Sequence, residues 1–208
     1  MSQLTFYTNP YSRGRTVQWM LNECGASYDT KFIEYEDIKS PDYLAINPMG
    51  KVPALVVHQK VAHLETKSDI VITEVVAICA YLADVYPSAN LAPAVDSPQR
   101  GIYYRWLFWA CNVLEPALMT EFGLMRRTES AEAKRALGFG NFREALAVLE
   151  KELNNRQYLC DDKFSAADLY MVAMLNWAVM QGAVKALPET LAEYVNGISK
   201  REALVKIG

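Results

Sequence analysis

Ala45-Ile46-Asn47-Pro48-Met49-Gly50-Lys51-Val52-Pro53-Ala54-Leu55-Val56-Val57 joins a turn to an apolar run through a proline. Pro48 and Gly50 mark a tight turn. Pro53 has no N–H to give a sheet ladder, so at the mouth of an apolar run it belongs at a strand's first position or on an edge. It has two readings: it starts the strand, or a cis Val52–Pro53 bond turns the Val52 backbone outward, where an extended peptide would pair with it.

Upstream, Leu4-Thr5-Phe6-Tyr7 alternates as a short strand, and Thr8-Asn9-Pro10-Tyr11 has the residues of a turn. Ser12 is suited to cap a helix that Val17, Met20, Leu21 and Cys24 continue at helical spacing and Gly25 ends. Tyr28 to Tyr35 reads as a strand, Pro41 to Ile46 as a short helical turn, and Ala54–Val57 and Asp69–Ile72 as two further strands. Thr73 opens a helix that Pro87 terminates. The order β-α-β-α-β-β-α is that of a thioredoxin-like domain. Past a linker at 88–98, rich in proline and small residues, the strand pattern gives way to helical periodicity at Gly101–Phe122, Ala131–Leu153, Ser165–Met180 and Pro188–Ser199. The expected fold is therefore α/β plus all-α: a thioredoxin-like domain over 1–87 followed by a helical bundle over 99–208. Within the bundle, Ser165-Ala166-Ala167-Asp168 is a capping box with Asp in place of Glu, which gives Asp168 a structural role.

The chain has 208 residues, 51% of them hydrophobic, enough for a sizeable core. A net charge of −3 lacks the basic stripe that nucleic acid or an anionic membrane surface requires. The absence of a long charge-free apolar run, and of a basic segment leading into one at the N-terminus, points to the cytoplasm. Cys24, Cys79, Cys111 and Cys160 are widely spaced, outside any metal-ligand pattern, and are expected to be buried and reduced. His58 and His63 fall in a polar segment with no third ligand, so they read as surface residues.

The strand–turn–helix with Ser12-Arg13-Gly14-Arg15, the 47–53 stretch, Thr73-Glu74 opening a helix, and Phe164-Ser165-Ala166-Ala167-Asp168 together resemble the cytosolic glutathione S-transferases over nearly the whole chain. The segment Asn9–Glu23 looks most like a bacterial subgroup. The resemblance implies a homodimer with glutathione as co-substrate and a small hydrophobic electrophile as partner. It also implies a cis Pro53 beside a Val52 backbone that pairs with the cysteinyl part of glutathione. Lys51 lies near the glycyl carboxylate, and Glu74 with Val75 holds the γ-glutamyl end. Such an enzyme favours the thiolate of bound glutathione through a nearby hydroxyl or amide donor and a helix N-terminus. Ser12 is the first choice of donor, with Tyr7, Asn9 and Tyr11 as alternatives in the same region. No cysteine occupies this loop, which speaks against thiol-transferase chemistry. The aromatic segment from Tyr103 to Asn112 supplies candidates for the hydrophobic site: Arg105, Trp109 and Asn112 on one helical face, Trp106 on another.

Two departures stand out. Val75 replaces the serine usual after that glutamate, removing a hydroxyl donor worth about 1 kcal/mol. The segment His58–Ser68 is longer than an ordinary hairpin connection and is expected to protrude as a mobile loop. Alternative roles on the same scaffold are a non-catalytic binding or regulatory protein, or glutathione-dependent peroxide reduction or isomerisation.

Overall fold

A computed structural model describes residues 3–60, 67–126, 130–160 and 162–207. The chain divides into two compact units, one built on the first 89 residues and a second spanning Asn90–Val205.

The first unit follows the expected order: β1 (Gln3–Thr8), α1 (Gly14–Glu23), β2 (Tyr28–Phe32), α2 (Pro41–Leu44), β3 (Ala54–Lys60), β4 (Lys67–Ile72) and α3 (Val75–Val85). The sheet runs β2-β1-β3-β4, with β1–β2 parallel and the other pairs antiparallel. This is a thioredoxin-like sheet. Alternation along β1 sends Leu4 and Phe6 into the core with Leu55 and Val57 of β3. Helices α1 and α3 pack together, burying Val17, Met20 and Leu21 from one and Ile78, Cys79 and Leu82 from the other.

The element boundaries differ from expectation for local reasons. The residue preceding α1 is Arg13, not Ser12; the helix starts at Gly14, whose N–H the Ser12 hydroxyl accepts while donating back to the Asn9 carbonyl. Strand β2 stops at Phe32, not Tyr35, because β1 ends opposite it at Thr8 and the chain then turns through Glu34–Ser40. Strands β3 and β4 pair as far as Lys60 and Lys67, so much of the supposed 58–68 loop is ladder. Residues 61–66, including His63, lie outside the described residues. His58 is a half-buried strand residue, not a surface loop histidine: Thr5 Oγ1 lies 2.8 Å from its Nε2 and Asp69 Oδ1 lies 2.9 Å from its Nδ1.

The second unit is helical: α4 (Gln99–Trp109), α5 (Glu115–Glu121), α6 (Ala131–Ala136), α7 (Phe142–Leu153), α8 (Ala166–Met180), α9 (Glu189–Ser199) and α10 (Glu202–Val205). The helix expected over 101–122 is interrupted by a π-helical turn at Ala110–Leu114. The one expected over 131–153 is two helices, because Gly138 and Gly140 interrupt it and Asn141 opens α7 with a capping box to Glu144. Helix α8 is buried nearly all round, as its near-continuous apolar sequence requires, and packs on α4 and α9. The expected box at its start is present: Asp168 accepts from the Ser165 N–H at 2.9 Å and the Ser165 hydroxyl at 2.8 Å. It also accepts from the Leu159 N–H and the Tyr194 hydroxyl. Of the cysteines, Cys79 and Cys160 are buried, whereas Cys24 and Cys111 are half-buried; none of the four is in a disulfide.

Candidate functional site

The register of the sheet assembles the site. Tyr7 pairs with Ala54, and Leu55 with Ile72. The chain leaving β1, the Val52–Pro53 step entering β3 and the Thr73–Glu74 step leaving β4 therefore gather at one end of the sheet.

In the first piece, Thr8–Gly14, the side chains of Asn9 and Ser12 tie the turn together. Asn9, 2% exposed, donates its amide to the Ile33 carbonyl at 3.0 Å and accepts from the Tyr11 N–H at 3.0 Å. Its side chain is thereby committed to tying this loop to the end of β2. Ser12 is half-buried; its Oγ donates to the Asn9 carbonyl at 2.7 Å and accepts from the Gly14 N–H at 3.0 Å. The Asn9 carbonyl also receives the Ser12 N–H at 3.0 Å, so it keeps a partner if the hydroxyl rotates away. A Cβ on Gly14 would stand 1.8 Å from Thr8 Oγ1, so only glycine lets α1 start this close to β1. Tyr11 is 89% exposed. Tyr7 is half-buried, its ring 6.1 Å from that of Tyr43 and 5.9 Å from the Lys31 ammonium.

In the second piece, the Val52–Pro53 peptide is cis, the conformer that the sequence left open and the resemblance implied. Neither polar group of the Val52 backbone is bonded among the described residues. The neighbouring Lys51 carbonyl is fixed by two buried donors, the Tyr43 hydroxyl at 2.6 Å and the Asn47 amide at 2.7 Å. Burial also pushes the Tyr43 phenol up to about 12, which keeps it a donor. Asn47 orders the preceding turn as well, accepting from the Met49 N–H through its side chain and from the Gly50 N–H through its carbonyl. Gly50 has φ of 60°, and a Cβ there would meet the Ile38 carbonyl at 2.5 Å. Lys51 itself is exposed, and Lys39 reaches the Met49 carbonyl at 2.8 Å. Sequence reasoning saw the turn but missed Tyr43, Asn47 and Lys39 as its supports. Only Asn47, an Asx-turn residue before proline, carried a local signal.

In the third piece, Glu74 precedes α3 with φ 64° and ψ 118°, an unfavourable conformation for a residue with a Cβ. Its side chain is exposed, and no side chain caps α3. The first N–H groups of α3, at Val75, Val76 and Ala77, therefore face outward from a helix N-terminus without an intrachain acceptor among the described residues. A carboxylate would be held there by N–H bonds and by the helix dipole.

The other expected residues belong to the second unit. Trp106 is fully buried, its Nε1 without a partner among the described residues and its ring 5.4 Å from that of Trp109. It lies in the core, not on a surface. Arg105 lies over the Trp106 ring at 4.2 Å and 3.7 Å from Glu152, while Trp109 is half-buried and Asn112 exposed. Asn112 sits in the π-helical turn, and the Cys111 thiol lies 3.6 Å from its Oδ1.

Residues 10–85 match the family model for the N-terminal domain of glutathione S-transferases, and residues 113–202 the model for their C-terminal domain. Glutathione S-transferase GstA of Escherichia coli O157:H7 is 30% identical over 78% of this chain and 72% of its own length. Glutathione S-transferase GST-4.5 of Xanthomonas campestris is 26% identical over 86% of this chain and 84% of its own. Among solved structures, a sphingomonad glutathione S-transferase complexed with glutathione is 29% identical, with a TM-score of 0.75 over 98% of this chain and 96% of that one.

Proposed function

The chain belongs to the glutathione S-transferase family of enzymes, and from that premise we propose that it activates the glutathione thiol for attack on small hydrophobic electrophiles. The observation that carries this reading is the Ser12 hydroxyl, poised at the start of α1 with a proton it can redirect.

A thiol of pKa near 8.5 is only a few per cent ionised at neutral pH. Rotation of the Ser12 hydroxyl from the Asn9 carbonyl to the sulfur exchanges one hydrogen bond for a charge-assisted one. The carbonyl retains the Ser12 N–H, so the exchange leaves no buried acceptor unpaired. The Gly14 N–H bond to Ser12 Oγ polarises the hydroxyl further, and the N-terminal end of α1 favours the anion. The thiol proton passes to solvent, the sulfur bonds to the electrophilic carbon, and the leaving group departs with the bond electrons.

The tripeptide is held by the parts already arranged. The Val52 backbone pairs with its middle residue, and Lys51 serves the glycyl carboxylate. Glu74 accepts from the α-ammonium, while the first N–H groups of α3, at and after Val75, take the γ-glutamyl carboxylate. Arg105, Trp109 and Asn112 remain the proposed contacts for the electrophile; the enclosed Trp106 would act only by supporting Trp109.

The test is conjugation of glutathione to an aromatic halide. Ser12→Ala should lower kcat/KM about 10²-fold while leaving glutathione binding nearly intact, with the bound thiol titrating at higher pH when followed by thiolate absorbance. An unchanged rate and titration would move the role to Tyr7 or Tyr11. Catalysis absent from the parent protein despite glutathione binding would favour the non-catalytic alternative.

A further inference from the structure

We propose that the first unit carries a second ligand site, at the end of the sheet opposite the one just described, which binds a small organic ammonium ion. A cavity of about 560 Å³ lies there, lined by Gln3 at the start of β1, Tyr28 and Asp29 at the start of β2, Cys24 and Ser27 after α1, and Tyr86 after α3. Its volume falls in the range of sites for small molecules.

The chemistry of the lining selects a cation. Among the described residues, Asp29 is the only charged one in the lining, and no basic side chain lines it. Asp29 Oδ2 accepts from the Gln3 amide at 2.9 Å, while Oδ1 has no partner among the described residues and remains open to a donor. Helices α1 and α3 both bring their C-terminal ends to this region, at Cys24 and Tyr86, so two negative dipole ends add to the carboxylate. Tyr28 and Tyr86 supply aromatic surface for the apolar body of the ligand, or for its charge. The Cys24 thiol points to the Leu82 carbonyl at 3.8 Å, and burial pushes its pKa up to about 12, so it contributes a neutral wall and no competing thiolate. This is a site for an amine with a small apolar body, distinct in place and in charge preference from one that holds a thiolate and two carboxylates.

Benzylammonium and its neutral isostere benzyl alcohol separate charge from shape. The full-length protein is titrated with each at constant ionic strength, following the backbone amide resonances of Ser27, Tyr28 and Asp29. Benzylammonium should bind saturably and at least tenfold more tightly than the alcohol. Asp29→Asn, on an exposed edge strand, should cost about tenfold in benzylammonium affinity without changing that for the alcohol. Ser27→Trp, which fills the cavity, should abolish binding of both while the rate of glutathione conjugation stays that of the parent. Equal affinity for the two probes, an Asp29→Asn variant that binds as the parent does, or no saturable shift at tens of millimolar would overturn the site. None of the binding outcomes depends on whether Ser12 activates a thiol.

Discussion

Ser12 and Glu74 were singled out through the family resemblance and not through local pattern, because a polar residue at a helix start is ordinarily a cap or a partner of the helix dipole. Their supports were not. Tyr43 and Asn47 converge on one carbonyl from a short helix and a turn, and no periodicity encodes that convergence. Each donor to Lys51 should matter for holding Val52 in place. Tyr43→Phe is expected to raise the KM for glutathione about fivefold, the effect of about 1 kcal/mol, with kcat little changed; an unaltered KM would show that the Asn47 bond suffices. Gly14 is the opposite case, a residue valued for the atoms it lacks. Gly14→Ala should lower unfolding free energy by about 1–3 kcal/mol in denaturant melts, because its Cβ must displace the Thr8 hydroxyl from beneath the first turn of α1.

Helices and strands were read correctly as kinds more often than as extents, and the errors have physical origins. A π-helical turn preserves an approximately helical run of apolar residues while adding one residue, so Ala110–Leu114 is invisible to side-chain spacing. The break before α7 was visible in Gly138, Gly140 and Asn141, but the periodicity on either side masked it. Asn141→Ala removes the capping box of α7 and should reduce stability by about 1 kcal/mol. The box of α8 reaches further, since Asp168 links its own helix start to Leu159 and to Tyr194 on α9. Asp168→Ala leaves buried donors unpaired, and a loss of at least about 3 kcal/mol is expected at neutral pH. Burial pushes this carboxyl above its ordinary range against the pull of its donors. For a native pKa raised above the unfolded value, its contribution is fullest below about 3.9 and declines as pH rises through the native value. Subtracting the stability profile of Asp168→Asn from that of the parent should therefore give a difference that falls with rising pH.

At the scale of the whole chain, composition and element order sufficed for the thioredoxin-like sheet and the helical unit, because both follow from burying the right faces. The strand pairing at 58–60 and 67–68 exceeded expectation, since polar side chains paired across a ladder, such as His58 and Asp69, resemble loop residues in sequence. Subunit association has no comparable pattern in the chain, and the homodimer we propose should appear as twice the chain mass in sedimentation equilibrium. Glutathione at a hundred times its dissociation constant should add about 2.7 kcal/mol to stability, read as a rise in Tm. Part of that gain has an address. Helix α3 begins without a side-chain cap, and Val75 brings no hydroxyl to supply one. A bound γ-glutamyl carboxylate would thus complete the secondary structure itself. Amide hydrogen exchange at Val75, Val76 and Ala77 would then be fast in the free protein and slow in the complex, with glutathione acting as the missing first acceptor of the helix.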